Sequence, residues 1–379
     1  MSTGIVLHSG GPTPVVNASL LGVVEETRRH PRIAQLLGAR FGIDGILHQD
    51  FVDLLALDHN RLAAIALSPS SALGTSRRYV DEKTLAAILK VLVSRGIEYL
   101  FYTGGNGSMG AAARIGESSG VRVIGIPKTI DNDLTHTDHA PGYATAARFF
   151  ACAARDIGAD NRALPGQVEF MEVLGRNSGW LAAATAAARR DPDDAPHLIY
   201  FPETRLPLAK LLDDIDRVYR RLGRCVVAVC EGQLDESGQP FGADVRPSSG
   251  RPLAMNLAHR LAMLVTEKLN LRARSEKPGL IARSGAAYFS QLDWDEARLA
   301  GEAAVSAAVN GASNVMITLQ REPGSLYSAR CGTVPLAAVA SAERAFPAEW
   351  RNAAGNDVTS AFLDYAEPLL GLIEHYPTL

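Results

Sequence analysis

Lys128-Thr129-Ile130-Asp131-Asn132-Asp133 sets a cation, a hydroxyl and two carboxylates within six residues. In an extended loop Asp131 and Asp133 point the same way, and Lys128 can neutralise charge beside them. Such a set can move a phosphoryl group: a carboxylate takes the proton of an attacking hydroxyl while cations hold the group in transit. Taken alone, the same run also reads as a solvated Asp-Asn turn. Two glycine-rich turns offer places for an anion. Ser9-Gly10-Gly11-Pro12 precedes Asn17-Ala18, and Thr103-Gly104-Gly105-Asn106-Gly107-Ser108 carries more glycine. In both, the backbone can approach a ligand and a following helix N-terminus can present free N–H groups. Neither is a GxxxxGK[ST] loop. Leu174-Gly175-Arg176 places an arginine fork at a further turn, where it suits a phosphate or equally a local surface pair. Glu231-Gly232 puts a carboxylate where sugar hydroxyls could bind, and Arg77, Arg274 and Arg283 are cations near glycines or loop ends. His136 and His139 flank Asp138 in a Thr-rich stretch that reads as a turn rather than a metal site.

These segments need strands and helices to hold them. Gly4–His8, Glu98–Tyr102, Val121–Ile126, Gln167–Val173, His197–Phe201, Cys225–Cys230 and Val315–Leu319 read as strands. Val15–Arg28, Asp81–Ser94, Ser108–Gly116, Asn177–Ala188, Pro207–Leu222, Leu253–Lys268 and Trp294–Val309 read as helices. In the second of these Leu85, Ile88, Leu89 and Leu92 share a face; in Pro207–Leu222 Leu208, Leu211, Leu212, Ile215 and Val218 point inward. The alternation predicts βαβ units and a parallel sheet, the α/β class, with ligands at the carboxyl ends of strands. The turns above all follow strands. Gly232–Pro252 and Arg321–Val334 read as long loops.

The 379 residues suffice for two domains. Hydrophobic residues make up 47% and charged residues 21%, a globular balance that excludes wholesale disorder. Net charge is −3, so a general nucleic-acid footprint is missing. Cys152, Cys225, Cys230 and Cys331 form no CxxC pair, so neither a zinc site nor a disulfide framework is expected. The N-terminal MSTGIVLHSGG does not read as a signal peptide, and no apolar run reaches membrane-spanning length. A reduced, cytoplasmic setting is the simplest expectation.

In order, over nearly the whole chain, the segments resemble the phosphofructokinase family. Gly10-Gly11 through Asn17-Ala18 is similar to its first loop, Leu73–Arg77 to its Leu-Gly-Ser-x-Arg, and Gly104–Ser108 to its Gly-Gly-Asp-Gly-Ser. Pro127–Asp133 matches its Pro-x-Thr-Ile-Asp-Asn-Asp, a highly specific motif, and Leu174-Gly175-Arg176 resembles its Met-Gly-Arg. The tail, Phe346–Trp350 and Phe362–Leu369, resembles the short diphosphate-using branch.

The resemblance implies two Rossmann-like three-layer domains with mainly parallel sheets and an active site in the cleft between them. A donor domain would take residues 1–141 plus about 283–334, and a sugar-phosphate domain 142–282 plus about 335–379. It implies transfer of the terminal phosphoryl of ATP or diphosphate to the 1-hydroxyl of fructose 6-phosphate or a related sugar phosphate. Asp131 would be the base, assisted by Lys128, Thr129 and Arg176. Gly11, Arg77, Gly105, Asn106, Gly107 and Ser108 would bind the donor. Thr129, Asp131, Leu174, Gly175, Arg176, Glu231, Arg274 and Arg283 would bind the acceptor, with Arg274 reaching a neighbouring subunit of a homodimer or homotetramer. Asn106 and Asp133 would hold Mg²⁺. No nucleic acid or membrane partner is implied.

Several positions depart from the family. Asn106 replaces an Asp on the metal side. Gly107 leaves room for a nucleotide's inner phosphate, where diphosphate users mostly carry Asp; Lys128 and the tail instead resemble diphosphate users. The steric argument at Gly107 puts ATP ahead. Gln167, Leu280 and Ala282 stand where the family has a phosphate-binding Arg, an acceptor-binding His and a Gln. Those losses open two alternatives: a kinase of another polyol or sugar, or a non-catalytic homologue that binds nucleotide or sugar phosphate.

Overall fold

The computed structural model describes residues 2–241, 256–285, 287–324, 326–340 and 342–377. Its strands are, in chain order, β1 (Ser2–His8), β2 (Ile33–Ala39), β3 (Phe51–Asp53), β4 (Ile97–Gly104), β5 (Arg122–Pro127) and β6 (Val168–Val173). There follow β7 (Leu198–Tyr200), β8 (Cys225–Cys230), β9 (Ala273–Glu276), β10 (Val315–Arg321) and β11 (Ala329–Pro335). The chain divides into two compact units, one of Met1–Tyr143 with Arg283–Arg344, the other of Ala144–Ala282 with Ala345–Leu379.

In the first unit the sheet order is β11-β10-β5-β4-β1-β2-β3. Pairing is parallel from β2 through β10, with antiparallel β3 and β11 at the edges. Alternation along β1 sends Ile5 and Leu7 into one core and Val6 into another, so both sheet faces are covered. Strand order reverses between β1 and β4, the point at which the loops after two neighbouring strands diverge and leave a crevice. The glycine turns after β1 and β4 open there.

The helices Val16–Arg29 and Gln291–Val309 pack without side chains at two places. A Cβ at Gly22 would stand 2.0 Å from Arg298 O, and one at Gly301 would stand 2.1 Å from Ser19 O. Only glycine permits that approach, and it fixes the second helix against the one that follows the first glycine turn.

The second unit carries the sheet β7-β8-β6-β9, all parallel. Val168 and Phe170 of β6 pack with Leu211, Ile215, Leu257 and Leu261. The tail adds a separate aromatic group: Phe346 stacks on Phe201 at 5.2 Å between centroids and meets Trp180 edge-on at 5.3 Å.

Three sequence expectations change. Arg321–Val334 is only in part a loop, since from Ala329 onward it is β11, which pairs with β10 from Val315↔Pro335 to Arg321↔Ala329. As an edge strand with small and polar residues, it lacks the apolar alternation that marks a strand. Asn177–Ala188 starts late, as the helix Trp180–Ala184 followed by a 3-10 turn Thr185–Ala188. Residues 175–178 form a tight turn instead, closed by Ser178 N–H on Gly175 O at 2.9 Å. The helix read at Leu253–Lys268 runs Leu257–Leu269, and residues 253–255 lie outside the described residues. The helix Tyr143–Ala163 and the strands β2, β3 and β9 were not legible; that helix is drawn largely by alanine, which leaves a faint stripe. No described helix is long and apolar enough to cross a membrane.

Candidate active site

The site in the first unit grows from the ends of β1, β4 and β5. Gly10 has φ +81°, a conformation glycine adopts freely. Its N–H donates to Ser76 O at 3.0 Å and its carbonyl accepts from Thr75 Oγ1 at 2.7 Å. The segment Leu73–Arg77 is thereby fastened to the first glycine turn. A Cβ at Gly11 would stand 3.0 Å from Arg283 Nη1 and 3.9 Å from Arg77 Nη2, so two guanidiniums close over this backbone.

Lys128 comes from below. Its side chain is buried, and its Nζ donates to Ser9 O at 2.8 Å and Gly11 O at 2.6 Å. Burial lowers its pKa to about 8; Asp131 opposes the fall, while Arg283 and Arg77 add to it. It is therefore cationic at neutral pH. Three cations thus surround one neutral stretch of main chain, which makes an anion-binding cradle.

The carboxylates lie on the loop that Lys128 begins, close enough for both to act on its ammonium. Lys128 N–H donates to Gly104 O at 3.1 Å, tying the loop after β5 to the end of β4. A Cβ at Gly105 would stand 3.6 Å from Lys128 O and 3.8 Å from Thr129 Cβ, so the second glycine turn lies against this loop. Asp131 N–H donates to Thr129 Oγ1 at 3.1 Å, and Asn132 sits at φ +55° between the two aspartates. The helix Asn106–Ser118 begins earlier than the sequence indicates, so Asn106 and Gly107 occupy its first turn, where free N–H groups collect. Ser108 is buried behind them, and a Cβ at Gly107 would meet nothing within 4 Å.

Asn106 Nδ2 donates to Asp133 Oδ2 at 3.0 Å, and Asn106 Oδ1 is buried without a hydrogen-bond partner. An orphaned amide oxygen beside a carboxylate fits a hard cation such as Mg²⁺, which takes a few protein oxygens and leaves its other positions to phosphate and water. Among the described residues no group of three or more His, Cys, Asp or Glu gathers in metal-binding geometry.

The second unit holds a different set. Leu174, Gly175 at φ +139° and Arg176 at φ +53° turn the chain after β6, leaving the Arg176 side chain exposed. The turn after β8 fits beneath it: a Cβ at Gly232 would stand 1.4 Å from Arg176 O, so only glycine is tolerated there. Glu231 precedes that glycine, and burial, then the neighbouring Glu172 charge, raise its pKa. Glu172 itself caps the helix Leu257–Leu269 through Ala258 N–H at 3.0 Å and pairs with Lys277 at 2.7 Å.

Arg283 joins Gly11 and Arg77 in the first unit. Arg274 lies on β9 opposite Glu169, four residues short of the β6 end, so at about 3.3 Å per residue it stands well away from Arg176 and Glu231. Gln167 is 1% exposed and Leu280 is 59% exposed. Sequence reasoning missed Lys277, Asp293 and Glu296; the last two, three residues apart on one helix, gave the only local signal.

A family model described as Phosphofructokinase matches residues 3–308. The chain is similar to the pyrophosphate–fructose 6-phosphate 1-phosphotransferase of Rhodospirillum rubrum, at 40% identity over 381 residues covering 97% of this chain and 94% of that protein. To the ATP-dependent 6-phosphofructokinase 1 of Thermus thermophilus it is 31% identical over 314 residues, 82% of this chain and 88% of that one. Among solved structures, the pyrophosphate-dependent phosphofructokinase from Nitrosospira multiformis has a TM-score of 0.90 at 29% identity, covering 100% of this chain and 94% of that chain.

Proposed function

Because this chain belongs to the phosphofructokinase family, we propose that it moves the terminal phosphoryl of diphosphate to the 1-hydroxyl of fructose 6-phosphate or a close sugar phosphate. It is an enzyme, a phosphotransferase with a hydroxyl acceptor. The observation that carries the residue assignment is the convergence of Lys128, Arg77 and Arg283 on the Gly10–Gly11 backbone, with Asp131 near enough to perturb Lys128.

In this reading Asp131 takes the proton of the acceptor hydroxyl as that oxygen attacks the terminal phosphorus of diphosphate in line, while the bridging P–O bond breaks and orthophosphate leaves. Lys128, Arg77 and Arg283 spread the charge of the moving group, and Arg176 offers a fork of donors suited to a phosphate. Thr129 Oγ1 accepts from Asp131 N–H and so orders the turn that presents the carboxylate. Gly105, Asn106 and Gly107 supply backbone donors to the outer phosphate, and Ser108, whose N–H donates to Gly105 O at 2.9 Å, closes the turn that presents them. Asn106 and Asp133 would hold Mg²⁺, whose charge would neutralise donor oxygens. With an amide in place of a second carboxylate, the protein contributes one negative charge fewer to that ion.

Glu231, with Leu174 and Gly175 backbone beside it, binds acceptor hydroxyls. Its raised pKa follows from burial next to Glu172, and a hydroxyl-bearing ligand relieves that desolvation by donating to it. Glu231→Gln is expected to raise the acceptor KM by about 10-fold or more while kcat stays within about threefold, the loss of a hydrogen bond to a charged group. Steady-state kinetics with the donor saturating reads both. Arg274, set apart from this group, serves the site of a second copy.

ATP is the second reading, favoured by the open space at Gly107. The test is the purified protein with Mg²⁺, fructose 6-phosphate and either donor, followed by phosphorus NMR. A bisphosphate product formed faster from diphosphate supports the proposal. No product from either donor across a panel of sugar phosphates overturns it.

A further inference from the structure

His139 lies six residues beyond Asp133, is 0% exposed, and is used by no step above. Both of its ring nitrogens face carboxylate oxygens: Nδ1 is 2.9 Å from Asp138 Oδ1 and Nε2 is 2.6 Å from Glu296 Oε2. A neutral imidazole has one N–H and one lone pair, so it can satisfy only one of these partners; the imidazolium satisfies both. Burial alone would lower its pKa, but the Glu296 charge and the hydrogen bonds from Asp138 and Glu296 raise it to about 9.

The surrounding groups come from five segments. On the loop itself stands Asp138. The helix Gln291–Val309 supplies Glu296 and, one turn earlier, Asp293. The connection after β10 supplies Tyr327, whose hydroxyl donates to Glu296 Oε1 at 2.5 Å. Arg321, at the end of β10, reaches Asp138 Oδ1 at 3.3 Å and covers the Tyr327 ring. Arg344 donates through Nη1 to Thr137 O at 2.8 Å and Asp138 O at 2.6 Å.

This cluster connects to the proposed base through short bonds. Ala140 N–H donates to Asn132 Oδ1 at 3.1 Å, Thr129 N–H to Pro141 O at 3.2 Å, and Gly142 N–H to Asp293 Oδ1 at 2.8 Å. Arg344 also reaches back, with its N–H on Asp133 O at 2.7 Å and its Nε on Asn132 O at 3.2 Å. The residues just after His139 therefore hold the residues on either side of Asp131.

We propose that His139 is a positioning residue: donating from both ring nitrogens, it clamps the loop that carries Asp131 onto the helix Gln291–Val309 and so fixes the place of the base. The role of Asp131 rests on the functional reading above; the clamp itself does not. Deprotonation removes one of the two donations, so the clamp is complete at neutral pH and loosens as pH rises through about 9.

Two substitutions outside the binding machinery test it. His139→Gln is expected to lower kcat by about 10-fold to 100-fold, the cost of displacing a catalytic group by about 1 Å, with both KM values within about threefold. Glu296→Gln removes the charge that holds the imidazolium, so the pH above which the Thr129, Ala140 and Gly142 amides lose exchange protection should drop by about one unit or more, a profile that the Lys128 ammonium does not set. In the double variant the Glu296 change should have no further effect. Hydrogen exchange gives a readout independent of turnover: the amides of Thr129, Ala140 and Gly142 should exchange about 10-fold faster in His139→Gln at pH 7. A kcat within twofold of the parent in His139→Gln, or an unmoved pH profile in Glu296→Gln, overturns the proposal. If His139→Gln does not fold, the Glu296→Gln profile decides. If the parent transfers no phosphoryl group, the functional reading has failed, and unchanged exchange in 129–142 is the result that would sink the clamp.

Discussion

Asp131→Asn is expected to lower kcat by about 10²–10⁴-fold while both KM values stay within a few-fold. The amide is isosteric and leaves the Asp131 backbone N–H on Thr129 Oγ1, so the loop keeps its course. What it cannot do is accept the proton of the attacking hydroxyl, and general-base catalysis is worth about that range. A second consequence follows from electrostatics. The Asp131 charge is the largest influence holding the Lys128 pKa up against burial and two guanidiniums. Without it the ammonium titrates below about 8, so the residual activity should fall away at lower pH than in the parent enzyme. Initial rates from pH 6 to 9 read both effects, and a variant turning over within 10-fold of the parent would remove Asp131 from the chemistry.

Gly107→Asp should separate the donors. The new side chain enters open space in the first turn of the helix Asn106–Ser118, where a carboxylate also suits the helix dipole, so folding is unaffected. Like charges about 4 Å apart at an effective dielectric near 20 repel by about 4 kcal/mol, and the exposure of this position reduces that. ATP-supported kcat/KM, or ATP inhibition of the diphosphate reaction, is expected to weaken by about 100-fold. The diphosphate reaction, which brings no inner nucleotide phosphate to that space, should stay within about threefold. Equal loss with both donors would show that the space at Gly107 does not distinguish them.

Much of the site was legible because its parts are local. Lys128 through Asp133 lie on one turn, and their order alone names a cation, a hydroxyl and two carboxylates. The glycine turns are local too, as are the strands that precede them, since apolar runs and helical spacing are read within a dozen residues. The family resemblance follows from the same short motifs.

The limits are instructive in the same terms. Arg283 carries no signal that would seat it over Gly11. β11 hides because an edge strand can be polar on both faces, and Tyr143–Ala163 because alanines draw a weak stripe. His139 and Asp138 read as a turn, yet the residue that decides their role, Glu296, is 157 positions away from His139.

The sequence by itself determined the α/β class, the strand ends at which the candidate site lies and the residue types found there, because each depends on backbone preferences and patterning over short spans. Only the tertiary structure decided which cations share the first glycine turn, which carboxylates pair with the buried histidine and which arginine stands apart. Those outcomes depend on where a chain that leaves the first unit at Tyr143 and returns at Arg283 lays its side chains. Packing and charge neutralisation across such separations leave no periodic trace in the sequence.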